Sequence, residues 1–258
     1  MSGKHSAAVR MRTRTARLMV RPTAIHAFGD SLTAGIADVW TNSKLTPWPR
    51  ILFDALRSTG ADVVLTSDLA RVGASSREVL SEQIQPAEIG SGDVVCLWVG
   101  GNDTLRSKYT IEDTHLALGE VLGVIGEAGA VPLTMELPRI SSALPGPRWA
   151  MRSWDAQGAL VNEMVRAGSG RLNGIHIDWP GPSIAGPDGT HLSQAGHYFY
   201  AREYATRLAA RWGIATPRIE APEGLPVFSA ADRRRWYLKH GWLWLMRRRI
   251  DKRRAARR

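Results

Sequence analysis

Five short apolar runs, separated by segments of helical length, constrain the fold of this 258-residue chain more than any other feature. Several runs are rich in Val and Ile and show no alternation with polar residues, which is typical of strands covered on both faces. Strands of this kind that alternate with amphipathic helices predict βαβ units and a parallel sheet. The runs are 24–29, 62–66, 93–100, 130–136 and 175–179, and the helical segments are 49–58, 76–85, 111–128, 149–167 and 193–212.

The predicted fold is a three-layer α/β/α sandwich, flavodoxin-like, around a central parallel sheet of about five strands. In such folds the ligand crevice lies outside the carboxyl ends of the strands. The segment 29–31 follows the first run, the segment 101–103 follows the third, and Asp188 and His191 follow the fifth. We therefore expect these polar elements to meet at one edge of the sheet.

The excess positive charge lies at the two ends of the chain. Of the 34 Lys and Arg residues, six lie in residues 1–22, and twelve lie in residues 233–258 beside a single acid, Asp251. The middle of the chain holds 16 basic and 23 acidic residues and is mildly acidic. We predict a basic, disordered segment over 1–22, one α/β domain over 23–215, and over 216–258 a linker followed by a basic, Trp- and Arg-rich helix and tail.

Cysteine usage and hydropathy bear on the compartment. Cys96 is the only cysteine, so no intramolecular disulfide can form and a reducing compartment is predicted. Because Cys96 lies in an apolar run, it is predicted to be part of the core. The first 22 residues lack the stretch of about 7 to 15 apolar residues that a secretory signal needs. No stretch approaches the roughly 18 apolar residues of a membrane span. We expect a soluble, cytoplasmic protein that starts at Met1, Met11 or Met19.

Asp188 and His191 are spaced as the two partners that a nucleophilic serine requires. A serine hydroxyl needs a general base, and that base needs a third group to hold its orientation. Because Asp188 and His191 are three positions apart, the carboxylate can reach one imidazole nitrogen while the other faces Ser31. Gly73 and Asn102 are candidate donors to an oxyanion, together with the backbone N–H of Ser31.

Four separated blocks in this order resemble the SGNH, or GDSL, hydrolases. They are 27–35 (AFGDSLTAG), 72–75 (VGAS), 100–103 (GGND) and 188–192 (DGTHL), and the resemblance spans roughly residues 24–213. It implies the SGNH hydrolase fold, with Ser31 as nucleophile, His191 as general base, Asp188 as its orienting group, and Gly73 and Asn102 as oxyanion donors. Arg71 departs from the pattern, since many relatives carry Asn two residues before the glycine of the second block.

The resemblance implies a serine esterase that hydrolyses carboxylic esters through an acyl-enzyme on Ser31. One alternative is a lipid acyl hydrolase, of the lysophospholipase or thioesterase kind, that the basic tail recruits to an anionic membrane. A second alternative is a nucleic-acid-binding domain with a vestigial hydrolase site, which the intact set of Ser31, Asp188 and His191 disfavours. The histidines lack metal-ligand spacing and no dinucleotide glycine loop follows the first run, so neither metal nor cofactor is predicted.

The tryptophans leave two interpretations open. Several of them lie near strand ends and loops, where most would be core and some would line a substrate pocket. The loop 139–148 follows the fourth run and is a candidate wall of that pocket. Over residues 229–258, the aromatic residues either pack back on the domain or contact an anionic surface. The tryptophans considered for the pocket are Trp40, Trp48, Trp98, Trp149, Trp154 and Trp179.

Overall fold

A computed structural model describes residues 23–38, 40–41, 43–106, 109–143 and 148–241. The predicted disordered segment 1–22, the alternative starts at Met11 and Met19, and the tail beyond residue 241 lie outside the described residues. No helix among the described residues has the length and apolar character that crossing a bilayer requires.

A parallel sheet of five strands forms the centre of the fold, as predicted. The strand order is β2-β1-β3-β4-β5, so β1 and β3 are neighbours and the first crossover runs to the opposite side from the later ones. Every residue of β3 is buried, Cys96 included, which agrees with a strand covered on both faces. The strands are β1 (Thr23–Gly29), β2 (Val63–Asp68), β3 (Val94–Trp98), β4 (Val131–Met135) and β5 (Ile175–Ile177).

Helices cover both faces of the sheet and give the three predicted layers. Helix α2 packs on α8 on one face, whereas α5 packs on α3 and α7 on the other. The helices are α1 (Ser31–Ala34), α2 (Trp48–Ser58), α3 (Ser76–Val79), α4 (Gly101–Leu105), α5 (Ile111–Glu127), α6 (Ile140–Ala143), α7 (Arg152–Arg171), α8 (Gln194–Trp212) and α9 (Ala230–Trp236). The described residues also form four short turns: π-helical turns at Leu80–Ile84 and Tyr237–Gly241, and 3₁₀ turns at Arg148–Met151 and Pro182–Ile184.

Several predicted boundaries differ from the observed ones by two to four residues, and two of these differences lie at glycines. The third run ends as a strand at Trp98, because Gly100 has a φ of 104° and turns the chain. Helix α7 continues to Arg171 instead of ending near residue 167. Gly168 therefore lies inside the helix and does not end it. A Cβ at this position would overlap the side chain of Leu122 on α5, so the glycine permits the two helices to approach closely.

The carboxyl ends of β1 and β3 and the loop after β5 lie at one edge of the sheet, where the polar blocks meet. The start of α8 is fixed there by its N-cap, since Ser193 Oγ accepts from Gly196 N at 3.1 Å. Trp48 and Trp98 are fully buried in the main core, whereas Trp149 is 70% exposed. The tryptophans therefore divide between core, surface and, as shown below, the cleft beside Ser31.

Candidate active site

Ser31 is held at the sharp turn between β1 and α1. Gly29 has a φ of 127°, and a Cβ there would overlap the carbonyl oxygen of Trp98, so only glycine fits this position. Asp30 caps α1 by accepting from Leu32 N at 2.9 Å. The turn therefore presents Ser31 as the first residue of a short helix, 6% exposed, at the edge of the sheet.

Gln83, which the sequence analysis missed, hydrogen-bonds to the backbone of Gly29 in the same turn. Its Oε1 accepts from Gly29 N at 2.7 Å and its Nε2 donates to Gly29 O at 3.1 Å. The side chain thus makes the pair of hydrogen bonds that a neighbouring strand would make. It is buried and belongs to the π-helical turn Leu80–Ile84, an irregularity that recurs at functional sites.

Ser31, His191 and Asp188 form one continuous hydrogen-bonded chain, which we call the triad. Ser31 Oγ lies 2.8 Å from His191 Nε2, and His191 Nδ1 lies 2.6 Å from Asp188 Oδ2. In the tautomer that fits both contacts, Ser31 donates to Nε2 and Nδ1–H donates to Asp188. The other oxygen of Asp188 accepts from the backbone N–H groups of Thr190 and His191, both at 2.9 Å, and this fixes the carboxylate within its own loop.

The buried pair Asp188–His191 stabilises its charged form. Burial, the largest single effect, lowers the pKa of His191, but the charge and hydrogen bond of Asp188 together with the charges of Asp30 and Asp38 outweigh burial, so the net pKa is raised. Burial alone raises the pKa of Asp188, but the imidazole and the hydrogen bonds from its loop hold the net pKa below its usual range. His191 is therefore a stronger base than a free imidazole, and Asp188 stays ionised beside it.

Gly73 and Asn102 lie with Ser31 along one cleft, as the sequence analysis expected. Gly73 has a φ of 79°, and among the described residues neither its N–H nor that of Ser31 has an acceptor. Asn102 Nδ2 donates to Asp30 Oδ2 at 3.2 Å and to Ala74 O at 3.1 Å. Two backbone donors are thus ready for an incoming oxygen, whereas the amide of Asn102 already has two acceptors.

Arginines fix the loop that carries Gly73. Arg106 Nη2 donates to Gly73 O at 2.7 Å. Arg71, which stands where many relatives carry Asn, keeps the loop beside β1 through its backbone N–H, which donates to Gly29 O at 3.0 Å. Its side chain turns away and pairs with Glu82 at 2.8 Å. The loop is therefore anchored at both ends without the asparagine.

Asp30 is a buried carboxyl directly before Ser31. Burial raises the pKa of Asp30 to about 7, and the hydrogen bond from Leu32 N and the nearby His191 only partly oppose this. Asp103 is also buried, and both its oxygens lie 3.1 Å from Ser76 N, at the start of α3. Both aspartates are therefore part of the site: Asp30 has a pKa near neutrality, and Asp103 accepts from the backbone N–H at the start of α3.

The cleft beside Ser31 has a volume of about 520 Å³. One group of lining residues is apolar: Leu105, Ile140, Trp154, Trp236 and Tyr237. A second group is charged: Glu136, Arg139, Asp155, Glu163 and Arg166. Trp236 and Tyr237 come from the aromatic and basic residues 229–258, which the sequence analysis did not connect with the site. Within the described ranges, no group of three His, Cys, Asp or Glu side chains is placed to hold a metal ion.

Comparisons with known proteins point to one family. The model of the GDSL-like Lipase/Acylhydrolase family matches residues 27–199, more than half of the chain. A comparison with curated proteins found no match. Among solved structures, a lipase/acylhydrolase from Enterococcus faecalis is 17% identical, with a TM-score of 0.54 over 76% of this chain and 99% of that one.

Two further structures share the fold. The psychrotrophic esterase EstA from a Pseudoalteromonas species, inhibited by monoethylphosphonate, is 18% identical, with a TM-score of 0.51 over 74% of this chain and 99% of its own. A member of the lipolytic G-D-S-L family from Veillonella parvula is 19% identical, with a TM-score of 0.53 over 73% of this chain and 99% of its own. About three quarters of this chain therefore suffices to match each of these proteins almost completely.

Proposed function

Because the chain belongs to the GDSL-like lipase/acylhydrolase family and is a hydrolase of the esterase/lipase type, we propose that it hydrolyses carboxylic esters through an acyl-enzyme on Ser31. One observation carries this proposal. The buried contacts from Ser31 Oγ to His191 Nε2 and from His191 Nδ1 to Asp188 Oδ2 measure 2.8 and 2.6 Å and open onto a cleft. That geometry fits nucleophile, base and orienting group.

In the acylation step, Ser31 Oγ attacks the ester carbonyl carbon while its proton passes to His191 Nε2. The imidazolium that forms is stabilised by Asp188, whose pKa is held low. The tetrahedral intermediate then collapses, the bond to the alcohol oxygen breaks, and His191 returns the proton to the leaving alcohol. Water repeats the sequence on the acyl-enzyme, so the products are a carboxylic acid, an alcohol and free Ser31.

The negative oxygen of the intermediate is stabilised by the backbone N–H groups of Ser31 and Gly73, which have no acceptor among the described residues. Asn102 is the third donor in this proposal. Its amide hydrogens already have Asp30 and Ala74 as acceptors, so donation to substrate requires sharing or exchanging one of these bonds. Protonation of Asp30, whose pKa lies near neutrality, weakens the competing acceptor.

The intact hydrogen-bonded triad supports this proposal over a nucleic-acid-binding domain with a vestigial site. A vestigial site has no need to keep three buried polar side chains in mutual hydrogen-bond distance, since their burial has a free-energy cost. The membrane-recruited lipid hydrolase depends on residues 229–258, of which the structure describes those up to 241, and it stays a prediction from the sequence.

The test is hydrolysis of p-nitrophenyl esters from acetyl to palmitoyl, with labelling by a fluorophosphonate probe. We expect the wild-type protein to hydrolyse part of the series and to be labelled, and Ser31→Ala to lose both signals. Ser43→Ala, an exposed serine, is the matched control and should behave as wild type. A folded wild-type protein that neither hydrolyses any ester nor reacts with the probe would refute the proposal.

A further inference from the structure

The segment Ser229–Gly241, which we call the C-terminal segment, lies outside residues 27–199, the region that the family model matches. It contains α9 and the π-helical turn that follows. Ser229 and Asp232 form a capping box at its start, so the helix has a defined beginning after a stretch without regular structure. The family model therefore does not cover this part of the chain, whose helix begins at its own capping box.

The C-terminal segment packs against the loop that carries Asp188 and His191. Arg233 Nη1 donates to Pro182 O at 3.4 Å and also to Phe228 O, joining α9 to the turn that precedes this loop. A Cβ added at Gly189 would lie 3.2 Å from Arg233 Cδ. Burial raises the pKa of the Tyr237 hydroxyl, and the charge of Asp188 raises it further.

Aromatic contacts hold the other side of the C-terminal segment. The His240 ring lies 5.2 Å from the Trp40 ring and 5.7 Å from the Trp236 ring, measured between centroids. Trp236 also packs edge-on against Tyr237 at 5.6 Å. Contacts of this kind contribute beyond their buried area, so the orientation of Trp236 is fixed from two sides.

Trp236 and Tyr237 belong to a hydrophobic cluster that is separate from the main core. Ile140, Ala143, Met151 and Tyr237 are buried in it, and Leu105, Trp154 and Trp236 pack against them. Five of these seven residues line the cleft beside Ser31. The cluster is therefore a wall of that cleft, and Trp236 is only half-buried although both neighbouring rings contact it.

We propose that this wall binds the hydrocarbon part of the ester, with Trp236 and Tyr237 as the residues that set which chain lengths are accepted. The inference rests on the proposed esterase function and adds its specificity element. An apolar surface left partly open beside a nucleophile gains free energy when a chain covers it. Each methylene that is fully buried contributes roughly a fourfold change in kcat/KM.

The experiment compares wild type, Trp236→Ala and Leu238→Ala. Leu238 is the matched control, because it lies in the same segment and is 80% exposed. Two substrate series are used: p-nitrophenyl esters with acyl chains from acetyl to dodecanoyl, and acetate esters with alcohols from ethyl to decyl. The quantity measured is the ratio of kcat/KM for the longer esters to kcat/KM for the shortest ester in each series.

We expect Trp236→Ala to lower this ratio about tenfold in one of the two series, while Leu238→Ala keeps the wild-type ratio. The series that responds identifies the bound chain as acyl or alcohol. Trp236→Phe, which keeps an aromatic face, should restore most of the ratio. Fluorophosphonate labelling of each variant reports whether the triad is intact.

Two results would overturn the inference and leave the esterase function standing. One is an unchanged chain-length ratio in Trp236→Ala. The other is an equal loss on all esters, which would assign Trp236 to support of the catalytic loop. In contrast, a wild-type protein without hydrolysis or labelling overturns the proposed function itself, so the two failures are distinguishable.

Discussion

Asn102 Nδ2 lies 3.2 Å from Oδ2 of Asp30, so the amide of the third block is hydrogen-bonded to the carboxyl that directly precedes Ser31. Burial raises the pKa of that carboxyl to about 7 from its ordinary value of 3.8. Its protonation state therefore changes over the pH range in which an esterase of this kind is assayed, and this has separate consequences for stability and for activity.

The first prediction concerns stability. Between about pH 4 and pH 7 the folded protein keeps the Asp30 proton that the unfolded chain has released, so this carboxyl makes the fold less stable as pH rises. Asp30→Asn removes the titration. The free energy of unfolding of the variant, relative to wild type, should rise by about 2 kcal/mol from pH 5 to pH 7.5 in urea titrations. Asp54→Asn, at an exposed carboxylate, is the control.

The second prediction concerns the pH dependence of activity. His191 must be neutral to accept the Ser31 proton, and its pKa is raised above the ordinary 6.5. We expect kcat/KM to fall as pH drops through a value above 6.5. The negative charge of Asp30 contributes to this shift, so Asp30→Asn should move the acid limb to lower pH, whereas Asp54→Asn should leave it in place. An acid limb below 6.5 in wild type would contradict the prediction.

The third prediction tests the hold of Gln83 on Gly29. Gln83→Met preserves volume but leaves the Gly29 N–H buried without an acceptor, while Gly29 O keeps the bond from Arg71 N. We expect a loss of about 1 to 3 kcal/mol in the free energy of unfolding, together with a lower kcat, because the nucleophile turn is no longer fixed. Gln85→Met, at the exposed residue that directly follows the same turn, is the control. Equal stability in the two variants would refute the role of Gln83.

The fourth prediction concerns Gly189, between Asp188 and His191. Its φ is 74°, and a Cβ would lie 2.8 Å from Ala143 O, so Gly189→Ala must displace the loop. Because a small displacement of a catalytic base has a large effect, kcat should fall at least about tenfold. Gly224 has a φ of 75° with nothing within 4 Å of an added Cβ. Gly224→Ala should therefore lose about 1 kcal/mol of stability from backbone strain and keep the wild-type kcat.

The sequence predicted the sheet and the triad because both depend on local signals. Unbroken Val-rich runs mark buried strands, and the carboxyl ends of neighbouring parallel strands share one edge, so Ser31, Asn102 and His191 had to come together. Gln83 carried no such signal, since its role depends on a π-helical turn that rotates it toward Gly29. Helical periodicity alone gives no reason to place a glutamine against the backbone of a distant strand.

The hydrogen-bond partners of Asn102 and the position of Trp236 could not be predicted from the sequence for a similar reason. That Asn102 already donates to Asp30 and Ala74 depends on side-chain rotation within the site. Trp236 lies more than 40 residues after His191 along the chain. Its position beside the cleft results from the packing of α9 on the loop that carries Asp188 and His191. Composition identified the C-terminal segment as aromatic and basic, which left packing and surface binding as alternatives.

The packing of the C-terminal segment on the loop that carries Asp188 and His191 also has a consequence for any shortened version of this protein. A truncated version ending near residue 215 retains every family motif yet exposes the apolar side chains of Ile140, Met151 and Trp154 to water. Such a fragment would have an open groove in place of a walled cleft and a tendency to self-associate through it. Substrate profiles measured on the minimal motif-bearing fragment would therefore not describe the cleft that the 258-residue chain forms.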